Sequence, residues 1–127
     1  MSGIKFLLDT NFVLAILNEQ DSVVQLMSNR AIDDADCAYS SITRIELLSF
    51  PKITSQDIDI IDSFLGRLQY IPFSLEIENA AILIRRQYKL KLPDAVIAAT
   101  AKCLKLELLT LDQQFANRMQ EIEMNAE

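Results

Sequence analysis

No histidine occurs anywhere in this chain, and glycine stands only at Gly3 and Gly66. Without histidine, Ser-His-Asp and Cys-His nucleophilic schemes, histidine acid-base hydrolysis of RNA and histidine-ligated zinc are all excluded. Two isolated glycines cannot build a P-loop or a GxGxxG dinucleotide loop. Cys37 and Cys103 are single thiols far apart in sequence and read as small buried hydrophobes. Long apolar runs are missing too. The N-terminal run Phe6-Leu7-Leu8 stops at Asp9, so neither a secretory signal nor a membrane span is visible and a cytoplasmic protein is expected. The chemistry left to such a chain is that of carboxylates and a bound metal.

Half of the 127 residues are hydrophobic, enough for a real core, and no linker, repeat or low-complexity stretch interrupts them. A single domain over residues 1–127 is expected, since compact domains most often run to roughly 100 to 150 residues. The formal net charge is -6, against the usual preference of phosphate-binding surfaces for basic residues. With four of the 18 acids assigned to a metal, 14 remain against 12 bases, and the imbalance becomes mild.

Phe6-Leu7-Leu8 is apolar without alternation, as in a strand buried on both faces of a parallel sheet. Asp9 ends it, Thr10 stands where a helix N-cap is wanted, and Phe12 to Leu17 reads as a short apolar helix. A second helix opens at Asp21-Ser22 and ends near Ala31. Cys37-Ala38-Tyr39 is the second strand, and Ser40-Ser41 cap a helix from Ile42 to Phe50, stopped by Pro51. Thr54-Ser55 cap the next helix, with Ile58, Ile61, Phe64, Leu65 and Leu68 inward and Asp57, Asp59 and Asp62 facing water. Gln69 to Pro72 is a brief third strand. Ser74 caps a longer helix that closes with Arg85, Arg86, Lys89 and Lys91. Pro93 and Asp94 open an uncharged, buried helix containing Ala95 to Ala101. Leu106 to Thr110 is a fourth strand, Gln113 to Met119 a final helix, and Glu121 to Met124 a candidate edge strand. Alternating strands and helices predict a three-layer α/β/α sandwich around a parallel sheet.

In that fold, Asp9 and Asp112 fall at or just past strand C-termini, while Glu46 and Asp94 fall early in helices entered from the sheet. All four places open toward one edge. Two carboxylates about 5 Å apart repel by roughly 3 kcal/mol at an effective dielectric near 20. A quartet therefore needs a cation, and an all-oxygen site favours Mg²⁺ or Mn²⁺. Such an ion activates water and screens a phosphodiester under in-line attack. Asp9, Asp94 and Asp112 are the expected ligands, with Glu46 ligating directly or through water and positioning the nucleophile. Thr10, Asn11, Thr43 and Thr110 are supporting candidates. Arg85, Arg86, Lys89 and Lys91 are candidate contacts for phosphates.

Leu8-Asp9-Thr10-Asn11, the segment Ser41 to Leu47, the segment Leu92 to Ala101, and Leu109 to Phe115 resemble the four motifs of PIN-domain ribonucleases, in order and spacing most similar to VapC-type toxins. The resemblance implies a sheet of order 3-2-1-4-5 and Mg²⁺- or Mn²⁺-dependent endonucleolytic cleavage of RNA with a 5′-phosphate product. It implies Asp9, Glu46, Asp94 and Asp112 as the acidic quartet, with Thr110 as a supporting hydroxyl. It further implies a homodimer silenced by a cognate antitoxin, for which the helix bearing Ile58, Ile61, Phe64 and Leu65, with the helix before it, offers a candidate groove. The alternative is a PIN-like module that binds RNA or protein without cutting. A phosphoacceptor receiver domain fits less well, because Pro72-Phe73 stands where an acceptor aspartate is needed.

Overall fold

The computed structural model describes residues 3–125. Four short strands, β1 (Phe6–Leu8), β2 (Cys37–Ser40), β3 (Gln69–Ile71) and β4 (Glu107–Leu109), form one parallel sheet of order β3-β2-β1-β4. Among the described residues seven α-helices connect and flank them: α1 (Thr10–Leu17), α2 (Asp21–Asn29), α3 (Ser41–Leu48), α4 (Ser55–Leu65), α5 (Leu75–Tyr88), α6 (Leu92–Leu104) and α7 (Gln113–Met124). The expected α/β/α sandwich is what the chain forms. No helix among the described residues is long and apolar enough to cross a membrane.

The pleat sorts the strand residues into two cores. Leu7, Ala38 and Ile71 point to one face and meet α5, α6 and α7 through Ile77, Ile84, Ile97, Phe115 and Met119. Phe6, Leu8, Cys37, Tyr39 and Leu109 point to the other and meet α1, α2 and α4 through Phe12, Val13, Val23, Ile61 and Phe64. Helix α3 sends Leu47 into the second core while Ile42 packs on the first, so it lies across the rim of the sheet. The small residues of α6 from Ala95 to Ala101 are all buried, as its uncharged surface predicts.

Two local expectations are corrected. Thr10 is the first helical residue, and Asp9 is the N-cap of α1: its Oδ1 accepts from the Phe12 N–H at 2.9 Å. The aspartate ends the strand and reaches N3 of the helix, leaving Thr10 free to turn elsewhere. The segment Glu121–Met124 is the last turn of α7 and not a strand, so among the described residues the sheet has four strands and no fifth position. The alternation of acidic and apolar residues there misleads, because Phe115, Met119 and Ile122 are buried at helical spacing while Met124 is 84% exposed.

Candidate metal and nuclease site

Parallel pairing of β1 with β4 in the register Leu8 to Leu109 brings the ends of both strands together. Asp9 follows β1 directly, and its N–H donates to the Leu109 carbonyl at 3.2 Å. Thr110 follows β4 and donates from Oγ1 to Asp9 Oδ2 at 2.5 Å. The same Thr110 oxygen accepts from the Asp112 N–H at 3.1 Å, while Asp112 Oδ1 caps α7 by accepting from the N–H groups of Gln114 and Phe115. One threonine thus ties the Asp9 carboxylate and the Asp112 backbone to neighbouring strand ends.

Glu46 reaches the same place from α3. Its Oε1 accepts from Thr10 Oγ1 at 2.6 Å, and Thr10 Oγ1 also lies 3.2 Å from Thr43 Oγ1. Thr10 has one hydroxyl hydrogen, and an ionised Glu46 only accepts, so the buried Thr43 hydroxyl is the donor to Thr10. Asp94 arrives in the first turn of α6, two residues after its start.

Asp9, Glu46, Asp94 and Asp112 all line one cleft of about 490 Å³, together with Thr10, Asn11 and Lys91. The structure therefore brings the four sequence-predicted acids together. Asp9 is only 5% exposed. Burial holds its carboxyl above the usual 3.8, with Asp112 and Glu46 pushing the same way against the bonds from Thr110 and Phe12. Asp94 is raised for the same first reason, burial, and then by Asp9, Asp112 and Glu46, with Lys91 opposing. The acids feel one another through a partly dry cleft, which favours a counter-ion. The donor set, all oxygen, fits a hard divalent cation. Among the described residues no three acid or cysteine side chains stand close enough together to hold a metal ion as they are placed, their oxygens being directed by Thr110, Thr10 and the caps of α1 and α7.

Of the basic candidates, only Lys91 lines the cleft. Arg85, Arg86 and Lys89 are exposed outside its lining, and Arg85 Nε donates to the Leu90 carbonyl at 3.3 Å. Sequence reasoning passed over Ser49, Phe50 and Pro51, which also line it. Their signal was present, since Ser49 and Phe50 follow Glu46 by three and four positions, the spacing of one helix face. The candidate partner groove is also revised. Phe64 and Leu65 are buried in the core and do not line the open groove along α4, of about 390 Å³, which Ile61 lines together with Leu14, Leu17, Phe50, Ile53 and Ile60.

A family profile described as PIN domain matches residues 6–119. The chain belongs to the PIN-domain family. Among solved structures this PIN domain is similar to a chain of a toxin-antitoxin complex from Klebsiella pneumoniae, with 30% identity, 87% of this chain and 88% of that one covered, and a TM-score of 0.73. It is also similar to a chain of VapBC2 from Rickettsia felis, solved bound to a DNA fragment from their promoter, with 26% identity, coverage of 90% and 92%, and a TM-score of 0.74. DNA-bound VapBC from Salmonella typhimurium shares the fold at 21% identity, coverage of 91% and 92%, and a TM-score of 0.77. No protein of curated function matches the chain. The VapC-type resemblance of the four motifs agrees with these PIN-domain relatives.

Proposed function

We propose that this PIN domain is a Mg²⁺- or Mn²⁺-dependent endoribonuclease and the toxin of a toxin-antitoxin pair. The observation that carries the reading is the gathering of four carboxylates from four separate elements in one cleft, with Asp9 and Asp94 harder to ionise than usual. Asp9, Asp94 and Asp112 would hold the ion, Glu46 joining directly or through water. When bound, such an ion supplies an acidified water and neutralises charge gathering on the phosphodiester.

The remaining work falls to the chain. Thr10, backed by Thr43, holds Glu46 Oε1, which leaves Oε2 to orient the attacking water and take its proton. Thr110 and the Phe12 N–H keep Asp9 from rotating. Lys91 meets a phosphate oxygen of the RNA, and Asn11 is a second polar contact in the same cleft. Water attack leaves a 5′-phosphate on the downstream fragment. The antitoxin segment takes the apolar groove lined by Leu17, Ile53 and Ile60, which shares Leu14, Phe50 and Pro51 with the carboxylate cleft, so an occupant there blocks RNA entry. A homodimer in the cytoplasm completes the reading.

Total RNA incubated with the protein in Mg²⁺ or in EDTA, followed by mapping of cut sites and their 5′ ends, tests it. Cuts that need Mg²⁺, carry 5′-phosphates and vanish in Asp94→Asn are expected. A 2′,3′-cyclic phosphate product excludes the water mechanism, and a wild type that binds RNA but never cuts it identifies a non-cleaving module.

A further inference from the structure

Phe50 is 49% exposed and sits where the carboxylate cleft meets the apolar groove. The other aromatic in the cleft lining, Phe115, is 3% exposed, so Phe50 alone among those lining residues offers a ring face to a ligand. Its position is set by the chain on both sides. Ser49 is the C-cap of α3, with its N–H donating to the Glu46 carbonyl, and Pro51 restricts the backbone of the residue before it. The Phe50 carbonyl in turn accepts from the Ile53 N–H at 3.3 Å. An apolar ring is thus fixed on a short turn, one helical turn from Glu46.

The charge of the site sharpens what this ring does. The cleft presents four carboxylates and a single cation, Lys91. Four of the arginines pair elsewhere: Arg30 with Glu107, Arg44 with Asp62, Arg67 with Asp34 and Arg118 with Glu121. Beyond a bound ion, one lysine gives few phosphate contacts in this cleft, and an uncharged part of the substrate is a further source of affinity. Stacking of a base on an aromatic ring is such a contribution, and it requires the base to be unpaired.

We infer that Phe50 is a stacking platform for a nucleobase next to the phosphodiester held in the carboxylate cleft. The inference rests on the nuclease reading above and adds to it a substrate-contacting residue. The ring stacks on a base flanking the scissile bond while Lys91 meets a phosphate. A polypeptide partner covering the same ring is the rival occupant.

The chain has no tryptophan, so Phe50→Trp installs a single fluorescent reporter at the platform. Titration in EDTA with a single-stranded oligoadenosine, an abasic oligomer of equal length and a duplex separates stacking from backbone contact without any cleavage. Quenching by the oligoadenosine alone is expected. Phe73→Trp, an exposed phenylalanine outside the cleft, serves as control and should not respond. With Mg²⁺ and a single-stranded RNA, Phe50→Ala and Phe50→Leu should raise KM by roughly five- to a hundredfold with a much smaller effect on kcat, and Phe50→Tyr should restore KM. Equal quenching by the abasic oligomer, or an unchanged KM in Phe50→Ala, overturns the inference and leaves the nuclease reading standing. Quenching by the oligoadenosine in a protein that never cuts RNA supports the platform and removes the nuclease reading.

Discussion

Asp9 and Asp94 are held in their acid form more firmly than free carboxyls, first because they are buried and then because other acids face them. The folded chain therefore binds more protons than the unfolded chain in the window above the ordinary value of 3.8. Stability of the metal-free protein falls as pH rises above that value, until both groups are ionised in the folded chain. Asp94→Asn removes one member of the repelling set. In EDTA at pH 7 the variant should unfold at a temperature a few degrees above wild type, the gain shrinking toward pH 4; a lower midpoint at pH 7 would count against mutual repulsion in the cleft. Thr110→Val should lose about 1–3 kcal/mol in urea unfolding by leaving Asp9 Oδ2 without its donor, and Thr110→Ser should recover most of it. At this scale the four acids were legible from their places at strand ends and helix starts. Their hydrogen bonds were not: that Asp9 caps α1, and that Thr10 serves Glu46 36 positions away, depends on side-chain directions no local pattern contains.

Helix ends in this protein show the cost of having few glycines. Glu19, Ala31, Lys52, Lys89 and Lys105 all adopt positive φ, and Lys89 and Lys105 do so as the left-handed C-caps of α5 and α6, where glycine is usual. Lys105→Gly should stabilise by up to about 1 kcal/mol, and Lys105→Val should destabilise by at least as much, both read from chemical denaturation. No gain from glycine would mean that the turn into β4 carries no strain. Strands and most helices were legible as elements because caps and apolar periods coincide: Ser40, Thr54 and Ser74 all accept the N–H bonds that their positions predict. Period failed at Glu121–Met124, where four residues of alternation imitate a strand and only the burial of Met119 and Ile122 on one helix face decides.

At the scale of the whole molecule, the proposed RNA substrate meets an acidic chain, and local arrangement is what would reconcile the two. Order β3-β2-β1-β4 sets β1 between β2 and β4, so the acids after β1 and β4 and those on α3 and α6 share one rim. This much followed from right-handed parallel topology before any coordinates. The division of the basic residues did not, since Arg85, Arg86 and Lys89 lie near Lys91 in sequence yet outside the cleft. That division predicts a shallow salt dependence of RNA binding. One phosphate contact gives a slope of log affinity against log salt of about -0.7 for a single strand, whereas engagement of the full basic group gives roughly -3. Lys91→Ala should flatten the slope to near zero, and a steep slope that survives this change would place the RNA on the outer arginines instead.

The claim beneath all of this is that the gathered carboxylates form a divalent-cation site. Electron paramagnetic resonance of Mn²⁺ titrated with the protein at pH 7 reads it without RNA or antitoxin. Saturable loss of the free-ion signal in wild type, displaced by Mg²⁺ and abolished in Asp94→Asn, is the predicted result; a free-ion signal unchanged by wild-type protein would contradict the account.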